Sequence, residues 1–147
     1  MLSKKTRYAI MALTKLASEY GKGAIMISEI AKSEKIPQRF LENILLELKN
    51  IGVLGSKLGK NGGYYLLKHP SQVPLADVVR HFEGTIALLY CISEKAYQPC
   101  EFCKDEEFCK IRSVFKEIRD YTYKRLSETS IENLIPEKKI IDMDFVI

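Results

Sequence analysis

The 147-residue sequence is poor in the residues on which the commonest enzyme and membrane functions depend. It has only two histidines and no tryptophan, and no nucleophile with an adjacent base stands out, so an enzyme is not expected. No run approaches the roughly 18 apolar residues of a membrane-spanning helix. Lys15 and Glu19 interrupt the apolar start of the chain, which argues against an export signal. These absences predict a cytoplasmic protein without a membrane segment.

The composition is that of a folded domain, but its charge is unevenly distributed. Apolar residues make up 46% of the chain and charged residues 29%. Residues 1–80 contain 13 Lys and Arg against 6 Asp and Glu, a net charge of +7, whereas residues 81–147 contain 10 against 13. A basic first half favours a polyanionic partner such as nucleic acid, although a merely solvated surface would have the same composition.

Hydrophobic periodicity predicts a mostly helical chain with one small β-hairpin. A first helix over 4–20 precedes a short helix capped by Ser28 and a longer helix over 37–50, with Phe40 in its apolar stripe. Two short apolar segments around LGKNGG then predict the hairpin. This order of elements is that of a winged helix-turn-helix, whose second helix enters the major groove of DNA.

The second half of the chain is less regular. A helix is predicted over 75–84, followed by a loop over 84–109 and a long helix from about Glu106. The apolar stripe of the long helix consists of Ile111, Val114, Phe115, Ile118, Tyr121 and Leu126. A stripe of this length on a small domain needs a partner surface. Thr129 resembles the start of a capping box for a last short helix, and the end of the chain is a strand or a tail.

The polar residues of the predicted helix-turn-helix suit DNA reading. The candidate base-reading residues are Gln38, Arg39, Glu42 and Asn43. Arg39 offers two donors to a guanine edge, and Gln38 or Asn43 suits an adenine. Glu42 accepts from a cytosine amino group or repels the DNA backbone. The candidate wing contacts to phosphate or the minor groove are Lys57, Lys60 and Asn61, beside two glycines, Gly62 and Gly63, that would permit close approach. The alternative is a small α/β domain with a basic surface.

The four cysteines, Cys91, Cys100, Cys103 and Cys109, lie within nineteen residues with the spacing C-x8-C-x2-C-x5-C. In a reducing compartment, clustered thiols favour a shared soft metal or a cluster over disulfides. Several thiolates in one loop suit an iron–sulfur cluster. Only Cys100 and Cys103 form the short knuckle usual in structural zinc sites. Redox signalling by thiols, or simple packing of some cysteines, are the other interpretations.

Three segments carry a family resemblance: the opening LSKKTRYAIMALTKLA, the region from IAKSEK through the glycine-rich wing to GYYL, and the helix CKIRSVFKEI. They resemble the IscR/NsrR family of winged-helix transcription regulators, over about residues 2–135. The resemblance implies a mostly α-helical, dimeric repressor or activator that binds a double-stranded DNA operator. It also implies a cysteine loop that often holds an iron–sulfur cluster.

The resemblance also suggests roles for individual residues. Cys91, Cys103 and Cys109 line up with the three cluster cysteines of the family. One branch of the family has a histidine ligand where this chain has Arg112, and another has an aspartate near the position of Arg7. Cys100 is therefore the expected fourth ligand of a 2Fe–2S or 4Fe–4S cluster, with zinc as the alternative metal.

The expected organisation has four parts: a winged helix-turn-helix over 1–83, a cysteine-containing sensor loop over 84–109, a dimerisation helix and short helix over 110–135, and a tail over 136–147. The expected function is a homodimeric transcriptional regulator that senses redox, iron–sulfur or nitric-oxide status. The alternatives are a zinc-stabilised or metal-free thiol-sensing regulator, and a zinc-bound protein-interaction module.

Overall fold

The computed structural model describes residues 1–137, which form helices around one small antiparallel hairpin. The α-helices are α1 (Lys4–Ser18), α2 (Ile27–Glu34), α3 (Gln38–Asn50), α4 (Leu75–Glu83) and α5 (Lys110–Glu128). The strands are β1 (Leu54–Lys57) and β2 (Gly63–Leu66), and 3₁₀ helices span Pro70–Gln72, Tyr90–Ile92 and Ile131–Leu134. The predicted mostly helical fold with a hairpin wing is confirmed. Of the predicted tail, residues 138–147 lie outside the described part of the chain.

The hydrophobic core lies between α1 and α3. Fully buried side chains from these two helices are Ala9, Ala12, Leu13, Leu41, Ile44, Leu45 and Leu48. Ile131, far along the chain, is also fully buried, and its amide donates to the carbonyl of Val73 at 3.0 Å. The last 3₁₀ helix therefore returns to the helix-turn-helix body and packs against α1. None of the helices within residues 1–137 has the length and apolar character needed to cross a bilayer.

The hairpin is joined to the helical body by a third extended segment. Leu54 pairs with Leu66 and Lys57 with Gly63 in the antiparallel register. Ile25 then forms an isolated bridge with Tyr64, with both backbone hydrogen bonds at 2.9 Å. A Cβ at Gly63, where φ is +148°, would lie 2.1 Å from the Ile25 carbonyl oxygen. The protein's own backbone therefore requires this glycine, and its predicted role in approaching DNA is not needed to explain it.

Two predictions made for the helix-turn-helix are wrong. Helix α2 begins at Ile27 with Met26 at its N-cap, so Ser28 lies inside the helix and does not cap it. Because Ile25 is fixed by its bridge to β2, the chain turns into the helix earlier than Ser28 would require. Phe40 was predicted to face the core but is 61% exposed, since Leu41 and Ile44 already fill the buried side of α3.

Helix α5 and the last 3₁₀ helix begin later than predicted. The long helix starts at Lys110 and not near Glu106, because the Cys109 thiol caps it by accepting from the Arg112 amide at 3.4 Å. The capping box forms on Ser130 with Asn133, one residue after Thr129. The Thr129 carbonyl is used elsewhere, since it accepts from the amide of Leu75 at 2.8 Å.

Candidate DNA interface and cysteine cavity

The first turns of α3 present a polar surface to solvent. The four predicted base-reading residues, Gln38, Arg39, Glu42 and Asn43, are all exposed. The Gln38 amide donates to the Glu42 carboxylate at 3.4 Å, so these two side chains are mutually oriented. Phe40 lies exposed among them, which the sequence pattern did not predict. An exposed phenyl ring on this surface suits apolar contact with a thymine methyl group.

Side-chain contacts fix the orientation of α3 against its neighbours. Glu47 of α3 is paired with Lys5 of α1 and accepts from His81 of α4 at 3.2 Å. The hydrogen bond from Lys5 lowers the pKa of Glu47 below its ordinary value. At the end of the helix, Lys49 donates to Ser56 of β1 at 2.7 Å. These contacts connect the orientation of α3 to both the wing and the helix that leads into the cysteine loop.

The wing tip projects away from the body. Lys57, Lys60 and Asn61 are all exposed there, as predicted for residues that touch phosphate. Leu58 is 96% exposed beside them, which the sequence analysis did not single out. An apolar side chain between basic residues at a wing tip resembles the wedges that minor-groove proteins insert between base steps.

The four cysteines line one open cavity of about 630 Å³ between the loop and the start of α5. Cys91 is buried, whereas Cys100, Cys103 and Cys109 are partly exposed. They come from separate parts of the loop: Cys91 from the 3₁₀ helix Tyr90–Ile92, and Cys109 from the N-cap of α5. The structure thus brings together all four cysteines that the sequence analysis proposed as one site.

Two of the thiols interact directly. Cys103 and Cys109 are close enough to influence each other's pKa, and the Cys103 thiol donates to the Asp105 carbonyl at 3.0 Å. The amide of Arg112 lowers the pKa of Cys109, while partial burial followed by the contact with Cys109 raises the pKa of Cys103. Within residues 1–137, no three Cys, His, Asp or Glu side chains converge closely enough to hold a single metal ion.

Charged side chains from α5 and the loop surround the thiols. The Arg112 guanidinium donates to the Cys91 carbonyl at 3.3 Å and lies 3.8 Å from Glu106. Glu106 in turn accepts from the Tyr97 hydroxyl at 2.9 Å. In the sequence, Arg112 stands out only as a departure from a histidine ligand. No local signal placed it against the Cys91 backbone, because the two residues are 21 positions apart.

A family model described as Rrf2, an iron-dependent transcriptional regulator, matches residues 2–137. This chain belongs to the Rrf2 family. A helix-turn-helix transcriptional regulator of Rhodobacter capsulatus named rrf2-like is 47% identical over 121 residues, which cover 80% of this chain and 81% of the relative. The IscR regulator of Photorhabdus laumondii is 25% identical over 97% of this chain and 83% of its own length. The predicted resemblance to IscR-type regulators is thereby confirmed.

Solved structures of Rrf2-type proteins have the same fold. The structure of CymR (YrzC), the global cysteine regulator of B. subtilis, superposes with a TM-score of 0.76 at 27% identity, covering 91% of this chain and 95% of that one. Rrf2 relatives are helix-turn-helix transcriptional regulators. This chain is accordingly a DNA-binding transcriptional regulator and not an enzyme, as the sequence predicted.

Proposed function

We propose that this Rrf2 protein acts in the cytoplasm as a homodimeric regulator that reads a pseudo-palindromic operator and holds an iron–sulfur cluster in its cysteine cavity. The observation that carries the sensing part of the proposal is the convergence of all four cysteines on one cavity. The cluster would report redox, iron–sulfur or nitric-oxide status to the DNA-binding surface. The DNA-reading part depends on the exposed polar face of α3 and the wing.

The donor set suits a cluster better than a single ion. Cys91, Cys100, Cys103 and Cys109 would hold a 2Fe–2S or 4Fe–4S cluster through four thiolates, the usual ligands of such groups. The thiols are distributed around a cavity and do not converge on one point, which favours a polynuclear group over one zinc ion. When bound, a cluster of this kind supplies one-electron redox chemistry.

The position of Cys109 supports a connection between the cavity and the rest of the molecule. Cys109 is the N-cap residue of α5, so a change in its ligation acts at the first turn of that helix. Helix α5 packs against α4, and His81 of α4 contacts Glu47 of α3. A continuous set of contacts therefore leads from the cysteines to the base-reading helix, as coupling between two sites requires.

The exposed apolar stripe of α5 supports the homodimer. Ile111, Val114, Ile118 and Tyr121 are exposed in the isolated chain, although they repeat at helical spacing as core residues do. Two chains pairing along α5 would bury these side chains and set two copies of α3 at a fixed separation. Binding to successive major grooves of a two-fold symmetric operator requires such a fixed separation.

The test is an absorption spectrum of protein purified without oxygen, with iron, acid-labile sulfide and zinc assayed on the same sample. Visible charge-transfer bands together with iron and sulfide would support the proposal. A colourless protein with about one zinc per chain would replace the cluster with a structural metal. If no metal binds even after reconstitution, the iron–sulfur part of the proposal is wrong.

A metal-free thiol sensor is the second candidate, and the contact between Cys103 and Cys109 favours it. Two thiols in one cavity, one of them with a lowered pKa, suit oxidation to a disulfide by a two-electron oxidant such as a peroxide or a disulfide. The similarity to CymR, a global cysteine regulator, also fits a function in sulfur metabolism. This candidate would be favoured over the first if metal-free protein still changed its operator binding on oxidation. Replacing either Cys103 or Cys109 should then abolish that change.

The variant Cys100→Ala tests the fourth ligand. If the site is all-thiolate, this change should lower the iron content after reconstitution and alter the visible spectrum, because one of four ligands is missing. Thr85→Ala, which removes a partly buried hydroxyl from the same loop without touching the cavity, is the control. Equal iron content and an unchanged spectrum for Cys100→Ala would show that another residue completes the site.

A further inference from the structure

Two arginines of α5 hold the short 3₁₀ helix that carries Cys91. The Arg112 guanidinium donates to the Cys91 carbonyl at 3.3 Å, and Arg119 donates to the carbonyl of the next residue, Ile92. The two arginines are seven residues apart, about two helical turns, and therefore lie on the same side of α5. Both are only partly exposed. The carbonyls of Cys91 and Ile92 are thus both hydrogen bonded to the same face of α5.

Arg112 differs from Arg119 because it reaches both ends of the cysteine loop. Its side chain lines the cavity together with the four cysteines, whereas Arg119 does not. Its backbone amide donates to the Cys109 sulfur at 3.4 Å, while its guanidinium holds the backbone of Cys91. One residue therefore fixes two thiols that are 18 positions apart in the sequence. The Glu106 carboxylate lies 3.8 Å from the same Nε atom and pairs with the guanidinium.

We propose that Arg112 is a positioning residue for the Cys91 thiol, which it keeps buried at the cavity by holding the Cys91 carbonyl. That Cys91 is a cluster ligand rests on the proposed function, but its positioning by Arg112 is a property of the metal-free chain. Cys91 has no side-chain hydrogen bond within the described residues, so its place depends on its backbone and on packing. The Arg112 guanidinium supplies the side-chain hydrogen bond to the Cys91 carbonyl itself.

The first arm of the test measures thiol accessibility without metal. Metal-free wild type, Arg112→Gln and Arg125→Gln are alkylated with iodoacetamide, and each cysteine is quantified over time by peptide mass spectrometry. Arg125 is the matched control because it lies on the same helix and its side chain bonds only Thr129 among residues 1–137. Arg112→Gln should speed alkylation of Cys91 by about five- to tenfold, the factor expected for one lost hydrogen bond. Cys100 should react as in wild type, and Arg125→Gln should change nothing.

The second arm measures retention of the cluster after anaerobic reconstitution. Arg112→Gln should lose iron to a chelator several times faster than wild type or Arg125→Gln. An unchanged Cys91 alkylation rate, or equal acceleration at all four cysteines, would overturn the inference. So would faster alkylation of Cys91 with wild-type retention of iron. If wild type binds no iron, the proposed function fails and the alkylation arm alone decides on Arg112. Arg112→Lys, which lacks the Nε donor, gives the same test should the glutamine variant not fold.

Discussion

Arg39 and Lys60 represent two kinds of DNA contact that substitution can separate. Arg39 is exposed at the first turn of α3, where a guanidinium reads a base edge. Arg39→Ala should therefore cost about 1–3 kcal/mol at one operator base pair and relax preference there. Fluorescence anisotropy on an operator selected from random duplexes, and on its scrambled version, measures this change. Equal losses on both duplexes would mean that Arg39 does not read a base.

Lys60 is the comparison for Arg39, because its expected contact with DNA does not depend on the base sequence. It is exposed at the wing tip, where an ammonium group meets phosphate as a point charge. Lys60→Ala should weaken binding to both duplexes by the same factor and reduce the slope of log K against log salt by about 1. The same anisotropy titrations, repeated at several salt concentrations, supply this slope. Loss confined to the selected operator would instead assign base reading to the wing.

The sequence correctly predicted that these polar side chains are exposed, but it failed for apolar residues on the same surfaces. Arg39 and Lys60 could be placed because a charged side chain next to a predicted turn is almost always exposed. Phe40 was assigned to the core because it precedes Leu41, and periodicity alone does not define the edge of a stripe. The structure excludes it because the buried face of α3 is already filled. Hydrophobic patterns assign apolar residues to the core, so they misplace the apolar residues that a functional surface exposes.

Gly63 and Gly59 are needed in the hairpin for different reasons. At Gly63, φ is +148° and an added Cβ would lie 2.1 Å from the Ile25 carbonyl, whereas at Gly59, φ is +102° and nothing lies within 4 Å. Gly59→Ala should cost only backbone strain, about 1–3 kcal/mol. Gly63→Ala should cost more, since it must also break the Ile25–Tyr64 bridge. Urea unfolding at fixed protein concentration compares the two variants. Equal destabilisation would mean that the bridge contributes nothing to stability.

The N-terminus of α1 is held by the last residue of α4. The Glu83 carboxylate accepts from the Thr6 hydroxyl, and from the Ser3 amide and hydroxyl at 2.8 Å each. The Thr6 hydrogen bond, followed by the Ser3 amide, lowers the pKa of Glu83 below its ordinary value of 4.5. A lowered folded-state pKa stabilises the protein above pH 4.5, and this contribution disappears as the pH falls through the folded value.

Glu83→Gln should therefore lower the free energy of unfolding at pH 7 by about 1 kcal/mol. The difference from wild type should begin to shrink near pH 4.5, where Glu83 of the unfolded chain is protonated, and disappear once the pH falls below the lowered pKa of the folded state. Urea unfolding at pH 7, 5 and 3.5 measures this trend. Glu132→Gln is the control, since Glu132 is exposed and has no side-chain partner within residues 1–137. A deficit that stays constant with pH would show that the charge of Glu83 does not contribute.

Two of the element boundaries that the sequence missed lie beside residues bridged to distant parts of the chain. Ser28 and Thr129 are both good local capping candidates, and both predictions were wrong by one or two residues. In each case a neighbouring residue is bridged to a part of the chain remote in sequence: Ile25 to Tyr64, and Ser130 to Pro74. Capping preferences are worth about 1 kcal/mol, which backbone bridges of this kind outweigh. Helix interiors, which depend on local periodicity, were predicted to within two residues for α1, α3 and α4.

At the scale of the whole molecule, the sequence predicted that the cysteines share a site but not which residues contact that site. Their clustering within nineteen residues predicted a common site, and the cavity contains all four. The contacts that fix that site come from Arg112 and Arg119 on a separate helix, through backbone carbonyls that leave no pattern in the sequence. The return of Ile131 to the core against α1 was likewise unpredicted, because it depends on tertiary packing of a short segment.

The apolar stripe of α5 allows the proposed dimer to be tested without disturbing the fold of one chain. Ile118 is 44% exposed and Tyr121 is 71% exposed, so a charge placed there costs little in the monomer. Ile118→Glu should shift the protein to a monomer and lower operator affinity by at least about tenfold, because two half-sites no longer bind together. Ser127→Glu is the control: it adds the same charge nine residues later, two and a half turns away on the opposite side of the helix. Sedimentation velocity gives the oligomeric state, and circular dichroism confirms that the helices persist. A dimeric Ile118→Glu protein with full operator affinity would assign dimerisation to another surface, whereas loss of affinity in both variants would point to charge repulsion from DNA.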